Sequence, residues 1–195
     1  MTAGEDRELV ARFKSGDQAA FNQLVRLYQK RVYAVAFRMV RDEEEAKDLT
    51  QEVFVKMYTA LADFRGEASL FTWAYRATVN LAINQIRRKK IISWVPLLEA
   101  EEKPAEPKEG LGERETARLK QAIAEAVKKL PPKQRAIFIL RHYDELPNEE
   151  IAQIVGKSVG AVKANYFQAL QKMKKYLAEW KSVLTSGVKA YELPS

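Results

Sequence analysis

A chain of 195 residues, 47% of them hydrophobic, is long enough for one medium domain or two small ones and too apolar for global disorder. Its 33 Lys and Arg outweigh 26 Asp and Glu to give a formal net charge of +7, which suits a polyanionic partner. Zero cysteines exclude a disulfide framework and any thiolate centre, which fits the cytosol. No apolar run approaches the roughly 20 residues that cross a bilayer, and the opening "MTAGEDRELV" has neither the basic flank nor the apolar core of a secretory leader.

Only 8 glycines stand among abundant Ala, Leu, Glu, Lys and Gln, so the expected fold class is all-α. In "QAAFNQLVRLYQKRVYAVAFRMV", residues 18–40, Phe21, Leu24, Val25, Tyr28, Val32, Val35 and Met39 recur at steps of three and four. That period predicts a long helix with one apolar stripe. Asp42 then offers an N-cap, and Glu43, Glu44 and Glu45 suit the positive end of the next helix dipole. This second helix, about 43–61, is expected to bury Leu49, Val53, Met57 and Leu61. Its outer face gathers Asp48, Gln51, Glu52 and Val55, an acidic and amide-rich surface that suits a protein partner or plain solvation better than DNA.

The stretch "FRGEASLFTWAYRATVN", residues 64–80, leads through a loop into a third helix over about 70–90. On that helix Tyr75, Val79, Ala82, Ile83 and Ile86 share one face, which is expected to be core. Trp73, Arg76, Asn80, Asn84 and Arg87 share the opposite face. An indole, two guanidinium groups and two amides can stack on unpaired bases, neutralise phosphates and pair with base edges. The same aromatics could equally cap the core, and the helix alone leaves both readings open.

Residues 93–113, "SWVPLLEAEEKPAEPKEGLGE", carry three prolines, two glycines and six glutamates with no amphipathic period, which predicts an acidic flexible linker. Helical patterning resumes at about 114, with Leu119, Ile123, Ala126, Val127 and Leu130 on one face. In "LPNEEIAQIVGKSVGAVKANYFQAL" Asn148 is expected to cap a short helix, Gly156 to take a positive φ in the turn, and Ser158 to cap a second helix. Ala152, small enough for close approach, and the apolar Ile151, Val155 and Val162 complete a helix-turn-helix. The second helix ends in Lys172, Lys174 and Lys175, and such a helix can enter a major groove and read base edges with its early residues. The lone histidine, His142, falls in an apolar helix ahead of this motif and is expected to be packed or solvated, with no catalytic role.

A stand-alone helix-turn-helix regulator would need a dimerisation stripe, and none is left once the core faces are assigned. An enzyme acting on nucleic acid would need a serine, tyrosine or carboxylate–metal centre, whereas paired carboxylates occur here only at helix starts and in the linker.

These elements in this order resemble the bacterial sigma factors of RNA polymerase, specifically the small extracytoplasmic-function (ECF) group of the sigma-70 family. The resemblance runs over about residues 10–180. It implies a non-enzymatic factor of two helical domains: residues 1–92, which dock on polymerase and open the promoter −10 element, and 114–182, which read the −35 element. The 93–113 linker would run through the polymerase cleft, and residues 183–195 form a tail. Asp48, Gln51 and Glu52 match positions that dock on the clamp helices of the polymerase's largest subunit. Lys56, Ala60, Phe64 and Asn80 match the pocket for a flipped −10 base, with Trp73, Arg76 and Asn84 on the same face. Lys163, Ala164, Phe167 and Gln168 match the −35 readers. The chain departs from the family in Gln168, where many members carry arginine, and Ala161, where threonine is common. A glutamine favours adenine and an arginine guanine. The implied partners are core RNA polymerase, promoter DNA and an anti-sigma factor, with no cofactor, metal, membrane insertion or small-molecule substrate, and a cytoplasmic location.

Overall fold

Two aspartates start the long helices of the N-terminal half. The Asp17 carboxylate accepts from the Ala19 N–H at 2.9 Å and the Asp42 carboxylate from the Glu45 N–H at 2.9 Å, each satisfying an orphan donor of the first turn. The computed structural model describes residues 3–66, 68–92 and 111–189. Among them it has eight helices and no strand. They are α1 (Ala3–Lys14), α2 (Gln18–Val40), α3 (Glu43–Leu61), α4 (Leu70–Ile92), α5 (Leu111–Lys129), α6 (Pro132–His142), α7 (Asn148–Val155) and α8 (Val159–Lys189).

Helices α1 to α4 form the first domain. The apolar stripe of α2 is buried as its period requires, with Leu24, Tyr28, Val32, Val35 and Met39 fully enclosed and Phe21 and Val25 at the margin. Val53, Met57 and Leu61 of α3 and Leu70 and Ala74 of α4 close over it. Helix α1, which the sequence reading did not identify, seats Leu9, Val10 and Phe13 on the same cluster. It is pinned there by a buried hydrogen bond of 2.6 Å that the Tyr28 hydroxyl donates to the Asp6 carboxylate. Phe13, Phe21 and Tyr58 meet around this edge with centroids 5.0–5.8 Å apart.

Helices α5 to α8 form the second domain, and it is packed onto the first. One cluster of buried residues includes Val35, Ala36, Met39, Tyr75, Val79 and Ile83 together with Leu130, Ile137, Leu140, Ile151 and Ile154. Three arginines stitch the seam. Arg135 is buried and donates through Nη1 to the Met39 carbonyl at 2.6 Å, and through Nη2 to the carbonyls of Lys128 and, at 3.4 Å, Leu130. These oxygens lie at the C-terminal ends of α2 and α5, where carbonyls lack helical partners and the dipoles are negative, so a buried cation can be held there without a carboxylate. Burial still pulls its pKa down. Arg38 pairs with Asp144 at 3.2 Å and lies over the Tyr143 ring at 4.8 Å. Burial pushes the Asp144 carboxyl up from its ordinary value, and the Arg38 charge only partly opposes the shift. Arg76 of α4 donates to the Gln153 carbonyl of α7 at 3.2 and 2.6 Å.

Four local expectations are corrected. Leu119 does not join the buried face of α5 but is 50% exposed, since the face is completed by the smaller Ala122 and Ala126. Asn148 is the first residue of α7, not its cap: Pro147 takes the cap position with no side-chain bond, and proline's fixed φ suits entry into a helix. Helix α5 begins at Leu111, so residues 111–113 of the expected linker are helical, and the remaining linker lies outside the described residues. Likewise α8 runs on to Lys189 through part of the expected tail.

Candidate nucleic-acid and polymerase interfaces

The helix-turn-helix has the geometry its spacing demands. Gly156 ends α7 at φ 63, ψ 46, the left-handed region, and its N–H bonds back to the Ala152 carbonyl. Ser158 Oγ accepts from the Ala161 N–H at 3.2 Å, and Val162 is fully buried against the turn. With Val162, Ala169 and Met173 inside, the opposite side of α8 turns outward. Lys163, Ala164, Phe167 and Gln168 are all exposed there, Phe167 at 61%. The structure therefore brings all four expected −35 readers to one open face. Gln168 is further tied to α6: its Oε1 accepts from Gln134 Nε2 at 2.7 Å, and Gln134 Oε1 accepts from Lys172 Nζ at 2.9 Å.

On α3, Asp48, Gln51, Glu52 and Val55 recur at three- and four-residue steps and all are exposed, Val55 at 67%. Glu52 leans on Lys56 at 3.5 Å, a solvated pair worth little.

The expected −10 residues divide. Lys56 is exposed and Ala60 half-buried on the C-terminal half of α3. Phe64, in the loop between α3 and α4, is half-buried against the first domain's core, and its carbonyl accepts from Lys14 Nζ at 2.7 Å. It lines a groove of about 560 Å³ between this loop and α1, with Gly66 at φ 74 making the turn. Trp73 also packs on that core and is half-buried. Arg76 is engaged by Gln153, as described above. Asn80, Asn84 and Arg87 line a different cavity of about 450 Å³, whose far wall is Lys133, Lys157 and Asn165 of the second domain. The strip on α4 is thus assembled from Arg76 to Arg87, while Phe64 stands apart from it and the second domain lies over it. Lys14 and Arg7 of α1, beside the loop, were not singled out from the sequence because α1 itself was missed.

His142 is exposed and stacks on Phe138 at 5.0 Å. No group of three or more metal-ligating side chains occurs among the described residues, and none of their helices is long and apolar enough to cross a membrane.

Comparison with known families and structures gives matches to Sigma-70 region 2 over residues 24–91 and to Sigma-70, region 4 over residues 120–173. The ECF RNA polymerase sigma-E factor of Escherichia coli K12 is 37% identical over 174 residues, covering 84% of this chain and 90% of the relative. Among solved structures, CnrH in complex with the cytosolic domain of CnrY superposes with a TM-score of 0.66 at 25% identity, covering 90% of this chain and 98% of that one. The sigma factor RpoE in complex with the anti-sigma factor NepR from Bartonella quintana gives 0.62 at 20% identity, covering 81% and 96%.

Proposed function

The chain belongs to the sigma-70 family, in its ECF branch, and is a non-enzymatic transcription initiation factor; from that premise we propose how its surfaces divide the work. The exposed row Lys163, Ala164, Phe167 and Gln168 reads the −35 element from the major groove. Asp48, Gln51 and Glu52 dock on the clamp helices of core polymerase. The strip Arg76, Asn80 and Asn84, with Trp73, Phe64, Ala60 and Lys56, receives the opened −10 strand and a flipped base. Flipping costs a few kcal/mol of stacking, which an aromatic wall and amide contacts offset. The reading is carried above all by the turn at Gly156, which seats α8 with that row outward.

The closed packing constrains this function. Positions −35 and −10 are about 25 base pairs apart, about 85 Å along a duplex. A folded chain of this length is roughly 40 Å across. The closed form cannot touch both elements, so the seam opens when promoter is engaged. From Ile92 to Leu111 the chain can reach at most about 65 Å, which together with the domain widths covers the span. An anti-sigma factor is an expected partner, since the structural relatives RpoE and CnrH are each found with a protein partner.

Reconstitution with core polymerase followed by mapping of transcript start sites tests the reading. Abundant initiation from one promoter class is expected. A protein that footprints a palindrome without polymerase would replace it with a dimeric regulator.

A further inference from the structure

Gln168 does not present a free carboxamide. A lysine ammonium can only donate, so the contact of 2.9 Å from Lys172 Nζ fixes which end of the Gln134 amide faces it: the oxygen. The Gln134 NH2 therefore points the other way, to Gln168, at 2.7 Å. A donor there requires the Gln168 oxygen as acceptor. Its own NH2 is then left on the open face of α8. Gln134 is buried and Lys172 half-buried, so water competes weakly at the inner end of the relay, and each amide's orientation follows from the ammonium behind it.

We infer that Gln134 is a positioning residue for −35 specificity: the relay Lys172–Gln134–Gln168 orients Gln168 to present its NH2, so that it reads guanine in preference to adenine. The inference rests on the proposal that Gln168 faces the −35 element. Recognition of adenine by glutamine takes one donated and one accepted hydrogen bond, to N7 and from N6. With its oxygen already accepting from Gln134, Gln168 has two N–H groups to offer, which match the adjacent acceptors N7 and O6 of guanine. The relay makes a glutamine behave as an arginine would at that place.

The polarity can be inverted by one atom. In Gln134→Glu, one carboxylate oxygen still accepts the hydrogen bond from Lys172 Nζ and the other can only accept, so Gln168 must donate inward and turn its oxygen out. That oxygen matches an exocyclic amino group, on adenine or cytosine. Gln134→Met breaks the relay and frees Gln168 for the paired contact to adenine.

The measurement is holoenzyme binding, with core polymerase, to promoters carrying each base at each −35 position. Gln168→Ala first identifies the position read, as the one whose preference it erases. There the wild type should favour guanine, Gln134→Met should favour adenine, and Gln134→Glu should disfavour guanine by about tenfold relative to adenine or cytosine. Thermal melting of both variants separates these shifts from unfolding, because a fold defect weakens all promoters alike and leaves the base ratio unchanged. If Gln168→Ala erases one preference but both Gln134 variants keep the wild-type ratio, the relay has no role in reading. Adenine as the wild-type base overturns the inference equally. If Gln168→Ala changes no position, Gln168 is off the reading face and the assignment of that face falls first.

Discussion

Asn80 is the residue on which the −10 assignment turns, because its amide faces a cavity and is not packed in the core. Removing it should leave the fold intact while deleting a hydrogen-bonding group from the strip. Asn80→Ala is expected to weaken open-complex formation about tenfold, the value of one such contact, with core-polymerase affinity unchanged. Permanganate reactivity of the −10 strand and a polymerase pull-down read the two separately, and equal losses in both would make Asn80 structural. Asp48→Ala should do the reverse, lowering core binding without changing the promoters chosen. Trp73 is a weaker candidate than the sequence suggested. Aromatics at a helix start can turn either way, and here the ring is drawn half into the cluster of Leu24, Val53 and Leu70.

At the level of elements, the helices were largely legible. Asp42 starts α3 as expected, and the bounds of α2 and α3 agree with those expected, while the caps of α2 and α4, Asp17 and Ser69, emerge only in the structure. The helix-turn-helix was legible because small, glycine and apolar positions at fixed spacing leave little choice. Gly156 gives a direct test. A Cβ built there meets nothing within 4 Å, so Gly156→Ala should cost only the left-handed backbone penalty, about 1 kcal/mol in chemical or thermal unfolding. A loss of several kcal/mol would mean that the turn also needs the missing volume. Helix α1 escaped notice because its three buried side chains, Leu9, Val10 and Phe13, occupy barely one turn among charges. Its anchor, Tyr28 to Asp6, joins residues 22 positions apart, a pairing that no local pattern announces.

At the scale of the molecule, the sequence indicated two domains but not that one would cover the proposed −10 strip on the other. Arg38 and Asp144 are 106 positions apart, and Arg135 reaches Met39 across 96, so nothing local marks the seam. Because the chain has no cysteine, one pair introduced at Gln29 and Lys174, both exposed, can carry dyes that report closure. Arg38→Ala should lower transfer efficiency, and core polymerase with promoter should lower it further; transfer unchanged by either would mean that the seam is not the part that moves. The pH dependence has a definite sign. Burial raises the Asp144 carboxyl in the closed form, so closing takes up a proton. That contribution to closure is full below the ordinary value near 3.8 and is lost as pH rises through the raised value. Asp144→Asn should remove this dependence, and its persistence would assign it to another group. Arg135 is a different kind of joint. Its sockets are main-chain oxygens, which no substitution at Met39, Lys128 or Leu130 deletes, so drift on the socket side leaves the grip in place and only position 135 itself is open to loss. An opened form would give up the Met39 oxygen and leave Nη1 to water, while Nη2 kept the two carbonyls from its own side, so the joint could part without losing its anchor.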